Sequence, residues 1–262
     1  MNSTELHSAA LLKDLIENSG VVGIKTSFED EGASFNEVIR LKELCNQAGT
    51  KLLLKISGAE AKRDLFDSQI IGVKGIVAPM IESPFALDKF VKSVKSIISP
   101  DSLSNIQLGI NIETMTAYKN FKEIMNCDGF QSLYNITLGR VDFVSSMNKD
   151  RSYVNSEEIY DVAIDLFTHS REHGKKLYMG GAVTSDSEEF MTSLFSKGLL
   201  DKFETRYVMY DPVIALKDLS RSLLGGQKLE LGILRNRQHG YLRESQKEST
   251  RIDMIAARVG EK

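Results

Sequence analysis

Short β-branched runs recur along the chain, each followed by a longer stretch whose apolar residues return at helical spacing, the pattern of parallel βα units. Strands are expected at Val21 to Thr26, Leu52 to Ile56, Gly75 to Met80, Gln107 to Glu113, Tyr134 to Arg140, Lys176 to Ala182 and Glu204 to Tyr210. Helices fill the intervals. From Phe35 to Ala48, residues Phe35, Val38, Ile39, Leu41 and Cys45 form an apolar face opposite Glu37, Arg40, Lys42 and Glu43, and Gly49 ends the helix. Ser83-Pro84 opens a helix to about Ile98, Asn155 or Ser156 caps one that reaches His173 before Gly174, and Met1 to Gly20 reads as helical.

No linker or change of composition interrupts the series, so residues 1–225 are read as one βα domain. After Gly225-Gly226 the segment Lys228 to Lys262 reads as a polar helix carrying Leu231, Leu234, Tyr241, Leu242, Ile252, Ile255 and Val259. So thin a stripe cannot fold alone, and residues 226–262 are expected to contact another subunit, making a homo-oligomer.

Alternating units fit a closed barrel or an open doubly wound sheet, and no glycine fingerprint follows the first strand. Polar residues favour the (β/α)8 TIM-type barrel. Lys25, Lys55, Glu82, Glu113, Arg140 with Asp142, and Arg206 each fall at or just past the end of a different strand, and in a barrel those ends share one mouth.

Composition removes other classes of function. The 33 basic side chains are balanced by 36 acidic ones, so no broad cationic surface is expected for nucleic acid. No apolar run approaches the roughly 20 residues that span a bilayer, so no membrane partner is expected. Met1 to Ser8 lacks the basic start of a secretory signal, which makes cytoplasmic residence the expectation. Cys45 and Cys127, both read as helical, are too few for a disulfide framework or metal cluster.

Glu113 and Asp142 end adjacent strand units, and like charges brought together in a partly buried mouth leave one protonated or a cation between them. With no histidine or cysteine nearby, an all-oxygen site for Mg²⁺ or Mn²⁺ is one reading. The other is that both cap the helices that follow. Lys25 and Lys55 also end strands, where a desolvated lysine beside a second cation can act as a Schiff-base nucleophile.

Three segments occur in order: Gly75-Ile-Val-Ala-Pro-Met-Ile-Glu-Ser-Pro84, Asn111-Ile-Glu-Thr114 and Leu138-Gly-Arg-Val-Asp-Phe143. Together they resemble the successive strand ends of the HpcH/HpaI aldolase and citrate lyase β-subunit family, over roughly residues 20 to 210. The resemblance implies a barrel of the phosphoenolpyruvate/pyruvate-binding type that uses Mg²⁺ or Mn²⁺ to make or break a carbon–carbon bond beside the carbonyl of a 2-oxo acid. It puts Glu113 and Asp142 at the metal, Gly139, Arg140 and Pro79 at the substrate, and Lys55 where the family carries an arginine.

Departures accompany the match. The base histidine of the family's aldolase branch is replaced by Phe28-Glu-Asp-Glu-Gly32, where Glu29 or Glu31 is either a substitute proton acceptor or part of an acidic loop capping the next helix. His7, His169, His173 and His239 fall on helices or in the tail. The family also has a strand ahead of Val21 to Thr26, so either a neighbouring subunit or the N-terminal helix closes the barrel, or the assignment of strands is shifted by one unit. A barrel that has lost catalysis and serves in assembly is the reading from a different class.

Overall fold

The structure, a computed structural model, describes residues 1–29 and 31–259; Asp30 of the acidic loop and the last three residues of the tail lie outside the described residues. Strands β1 (Val21–Ser27), β2 (Leu52–Lys55), β3 (Gly75–Ala78), β4 (Gln107–Ile112), β5 (Asn135–Gly139), β6 (Lys176–Gly180), β7 (Lys202–Glu204) and β8 (Val208–Tyr210) close into a barrel in chain order. The main helices are α1 (Ser3–Asn18), α2 (Phe35–Ala48), α3 (Lys62–Ile71), α4 (Pro84–Ile97), α5 (Arg140–Ser146), α6 (Glu157–Glu172), α7 (Glu188–Ser196) and α8 (Leu219–Val259). Ser83 caps α4 ahead of Pro84, and Ser156 rather than Asn155 caps α6. Cys45 is buried in α2, whereas Cys127 precedes a 3₁₀ turn and is not helical.

The barrel closes on itself in a way the sequence pattern hid. The expected single strand Glu204 to Tyr210 is a hairpin. β7 runs parallel to β6, the chain reverses through Thr205 to Tyr207, and β8 returns antiparallel to both β7 and β1. The Thr205 N–H donates to the Val208 carbonyl at 2.9 Å, and the Lys25 N–H donates to the Tyr207 carbonyl at 2.8 Å. The place expected for a neighbouring subunit or the N-terminal helix is therefore filled by β8, while α1 packs on the outside against α2 and α8. Leu53, Tyr178 and Met209 form a small cluster of their own inside the barrel, separate from the main core between strands and helices.

The glycine pair 225–226 is not a joint, because α8 runs through it from Leu219. A Cβ on Gly225 would collide with Leu15 and one on Gly226 with the Tyr210 hydroxyl, so the pair lets α8 lie close to α1 and the barrel. Leu219, Leu223 and Leu229 are buried, while Tyr241, Leu242, Ile252, Ile255 and Val259 are exposed.

Glu5 ties the outer helices together. Its carboxylate accepts from the Asn2 N–H at 2.7 Å, from Arg40 Nε at 2.8 Å and from Asn236 Nδ2 at 3.2 Å, linking α1 to α2 and α8. Burial works against its charge, but these donors outweigh burial and hold its pKa below the ordinary 4.5. Glu5→Gln is expected to lower stability by about 1–3 kcal/mol near neutral pH. A carboxylate with a depressed folded pKa stabilises fully above 4.5 and loses that contribution as pH falls through the folded value. Urea unfolding of both proteins across that range should therefore show the gap closing in acid; a constant gap would put the loss in packing.

Candidate active site

The C-terminal ends of the parallel strands open into a cavity of about 440 Å³ lined by Lys25, Glu31, Lys55, Asn111, Glu113, Gly139, Asp142 and Glu204, with Gln227 and Glu230 of α8 also in its wall. Glu113 follows the last residue of β4, is 2% exposed, and shares an inward face with Asn111 by strand alternation. Its Oε1 accepts from the Met80 N–H at 3.0 Å and its Oε2 from Asn111 Nδ2 at 3.0 Å, with Lys55 Nζ at 3.8 Å. Burial raises its pKa, the Asp142 charge adds to that, and Lys55, the Met80 amide and Asn111 pull against it. The two carboxylates thus feel each other within one cavity.

Glycines make the room. A Cβ on Gly139 would lie 2.8 Å from Glu113 Oε2. Gly181, at φ +83°, faces the first amides of α5, where a Cβ would sit 2.7 Å from Val141 N and 2.8 Å from Arg140 N. Those N–H groups accordingly border space that only glycine leaves open. Met80 and Ala182, both non-glycine at φ +50°, bracket the same mouth, and such backbone is held where surrounding structure over-determines it.

Lys55 ends β2 and is buried, its Nζ 2.9 Å from Glu29 Oε2. Lys25 pairs with Glu204. Glu31 pairs with Arg206 and accepts from the Tyr207 hydroxyl at 3.0 Å, so it ties the acidic loop to the β7–β8 turn. Glu60 pairs with Lys89 and Arg63 with Asp67, away from Lys55.

The Arg140 side chain and Pro79, both expected at the substrate, lie outside the cavity lining, while the Arg140 N–H stays beside Gly181. The Arg140 guanidinium is wholly buried and donates to the Gly180, Gly181 and Val154 carbonyls and to Asn155, because Gly139 ends the strand and Arg140 already belongs to α5. Pro79 is buried beside the cavity and outside its lining; its successor supplies the N–H. His7, His169 and His239 lie on helices and His173 ends α6, none of them in the cavity lining. The strand-end pattern gives no site role to Asn111, the Met80 N–H or Glu204. Asn111 carried a usable signal, standing two residues before Glu113.

The donor set fits a hard divalent cation. Glu113 and Asp142 offer oxygen alone, and Mg²⁺ usually takes one or two carboxylates and completes its shell with water and substrate oxygens. Burial is the main cause of the raised Glu113 pKa; the smaller contribution of the Asp142 charge is the one such an ion would neutralise. Among the described residues no group of three or more His, Cys, Asp or Glu gathers for a metal held by protein alone.

The sequence profile of the HpcH/HpaI aldolase/citrate lyase family matches residues 46–192, more than half of the chain. The chain belongs to the HpcH/HpaI aldolase/citrate lyase family. Membership places it among lyase- and aldolase-type enzymes. Solved structures agree in fold. An HpcH/HpaI aldolase from Desulfitobacterium hafniense DCB-2 is similar at 14% identity over 74% of this chain and 88% of that one, with a TM-score of 0.59. The citrate synthase SbnG is similar at 15% identity over 83% and 97%, also at 0.59. An HpcH/HpaI aldolase/citrate lyase family protein from Burkholderia cenocepacia J2315 is similar at 10% identity over 91% and 99%, at 0.58. No curated protein matches the chain significantly. Among the described residues no helix is long and apolar enough to cross a membrane.

Proposed function

We propose that this family member is a divalent-metal-dependent carbon–carbon lyase acting beside the carbonyl of a 2-oxo acid, with Glu113 and Asp142 as the residues that hold Mg²⁺ or Mn²⁺. The observation that carries the reading is that both carboxylates line one cavity in which Lys55 is the buried cation. When bound, the ion supplies Lewis-acid stabilisation of negative charge developing on the substrate. Lys55, fixed between Glu29 and Glu113, adds positive charge at the same place and needs no reorganisation as the bond breaks. The Arg140 and Val141 amides beside Gly181 suit the substrate carboxylate. Glu29, in contact with Lys55 and its side chain 31% exposed, can pass a proton between cavity and solvent. Glu31, engaged by Arg206 and Tyr207, positions the loop instead.

The test is activity on 2-oxo acid aldol adducts with and without EDTA. Chelation is expected to abolish turnover and Mn²⁺ to restore it. Borohydride with pyruvate is expected to leave Lys25 and Lys55 unlabelled, since each is engaged by a carboxylate in a manner that suits charge stabilisation rather than attack. Trapping of either lysine in EDTA-treated protein that still turns over would replace the metal reading with the Schiff-base route. A protein that binds neither Mn²⁺ nor 2-oxo acid by calorimetry would favour the assembly role.

Lys55→Met is expected to lower kcat by roughly 10²-fold, while Lys55→Arg keeps the charge and most of the rate. Equal losses in the two variants would show that shape, not charge, is what Lys55 contributes.

A further inference from the structure

The opposite end of the barrel carries a cationic pair that the mouth chemistry does not use. Lys51 immediately precedes β2, Gln107 is the first residue of β4 and Lys202 the first of β7, so parallel strands place all three at the N-terminal end. The Lys51 stem packs against Gly23, where a Cβ would lie 3.2 Å from Lys51 Cγ, and its Nζ donates to Gln107 Oε1 at 3.3 Å. Lys202 Nζ stands 4.9 Å from the centre of the Tyr178 ring. Tyr178 is 1% exposed and its hydroxyl has no hydrogen-bond partner, leaving a donor unspent inside the barrel.

Among the described residues no carboxylate forms an ion pair with either lysine. Asp201 is taken by Arg171, Lys176 and the Leu177 N–H, and Asp211 accepts from the Val213 N–H. We propose that the N-terminal end of the barrel is a second site, separate from the mouth, where Lys51 and Lys202 together bind a small oxyanion of the phosphate type. A Cβ on Gly23 would meet both Lys51 Cγ and Met209 Sδ, the latter at 3.7 Å, so Lys51 and Lys202 both cover the inner cluster of Leu53, Tyr178 and Met209. Two ammonium groups brought to one such place repel unless an anion lies between them or one gives up its proton. Without an anion, burial first, then the neighbouring Lys51, bring the Lys202 pKa down to about 7, against weaker opposing pulls from Asp201 and Asp211, so its proton is readily lost near neutral pH. An anion bound to the pair must favour the protonated form, so occupancy and protonation of Lys202 are linked.

The experiment uses the full chain, reductively methylated with ¹³C-formaldehyde, with the Lys202 signal assigned by its loss in Lys202→Arg. At constant ionic strength, replacing chloride by inorganic phosphate is expected to raise the apparent pKa of Lys202 by about one unit, a tenfold change in proton affinity. Lys51→Met should remove that response. Calorimetry on unmodified protein should likewise show phosphate binding that is lost in Lys51→Met and Lys202→Met. A Lys202 titration indifferent to phosphate, a response no larger than that of exposed lysines, or calorimetric binding retained in both variants would overturn the site.

Discussion

Glu113→Gln is expected to cost roughly 10³-fold or more in kcat/KM and to abolish tight Mn²⁺ binding, while leaving the fold as stable as before. The substitution keeps the side chain's shape and one oxygen for the Met80 N–H, and removes the charge. Asn111, now facing an amide instead of a carboxylate, can turn its own amide to present oxygen. Burial opposes ionisation of Glu113, so a neutral group there relieves a cost of folding rather than adding one. Asp142→Asn should produce the same kinetic loss, and the double variant should lose little more, because residues that act through one ion are not additive. Thermal unfolding, Mn²⁺ titration followed by electron paramagnetic resonance, and turnover together decide the matter. Inactive protein that still binds Mn²⁺ at full strength would remove both residues from the metal and leave them a role in proton transfer or substrate orientation.

Much of the site was legible because barrel geometry turns sequence position into spatial position. Lys55, Glu113 and Asp142 stand at or just past strand ends, and parallel closure brings their side chains to one cavity. What escaped the sequence has specific causes. The Met80 N–H is a backbone donor, which no side-chain pattern announces. The β7–β8 hairpin is built from strands too short to show alternation, so Lys202–Glu204 and Val208–Tyr210 blended into one run across Thr205 to Tyr207. Glu204 therefore looked like the start of a strand, although it ends one and lines the mouth. The glycine pair in α8 looked like a boundary because a helix interior disfavours glycine; the neighbouring Leu15 and Tyr210, which require it, lie far away in sequence.

Arg140 misled for the same reason and supports the second large prediction. A charged residue at a strand end reads as facing the mouth, yet strand geometry stops at Gly139 and the guanidinium turns beneath the wall. There Nε donates to the Gly180 carbonyl at 3.3 Å, Nη1 to Val154 at 3.3 Å and Asn155 Oδ1 at 2.6 Å, and Nη2 to Gly181 at 2.9 Å, above the Phe190 ring at 5.1 Å. Burial pulls its pKa down to about 9, which leaves it cationic at neutral pH. These acceptors belong to β6, the loop after it and the turn before α6, so one side chain holds together the backbone that carries Gly139, Gly181 and Asp142. Arg140→Met is expected to lower stability by about 3–5 kcal/mol, since methionine leaves several buried carbonyls unpaired. Arg140→Lys should fall between, its single ammonium reaching only part of the set. Where either variant remains folded, Mn²⁺ affinity and KM should worsen together, because the amides and the carboxylate they involve move as one piece. Urea unfolding that places Arg140→Met within about 1 kcal/mol of the parent would show that water can replace the guanidinium, and would separate the geometry of the mouth from this clamp.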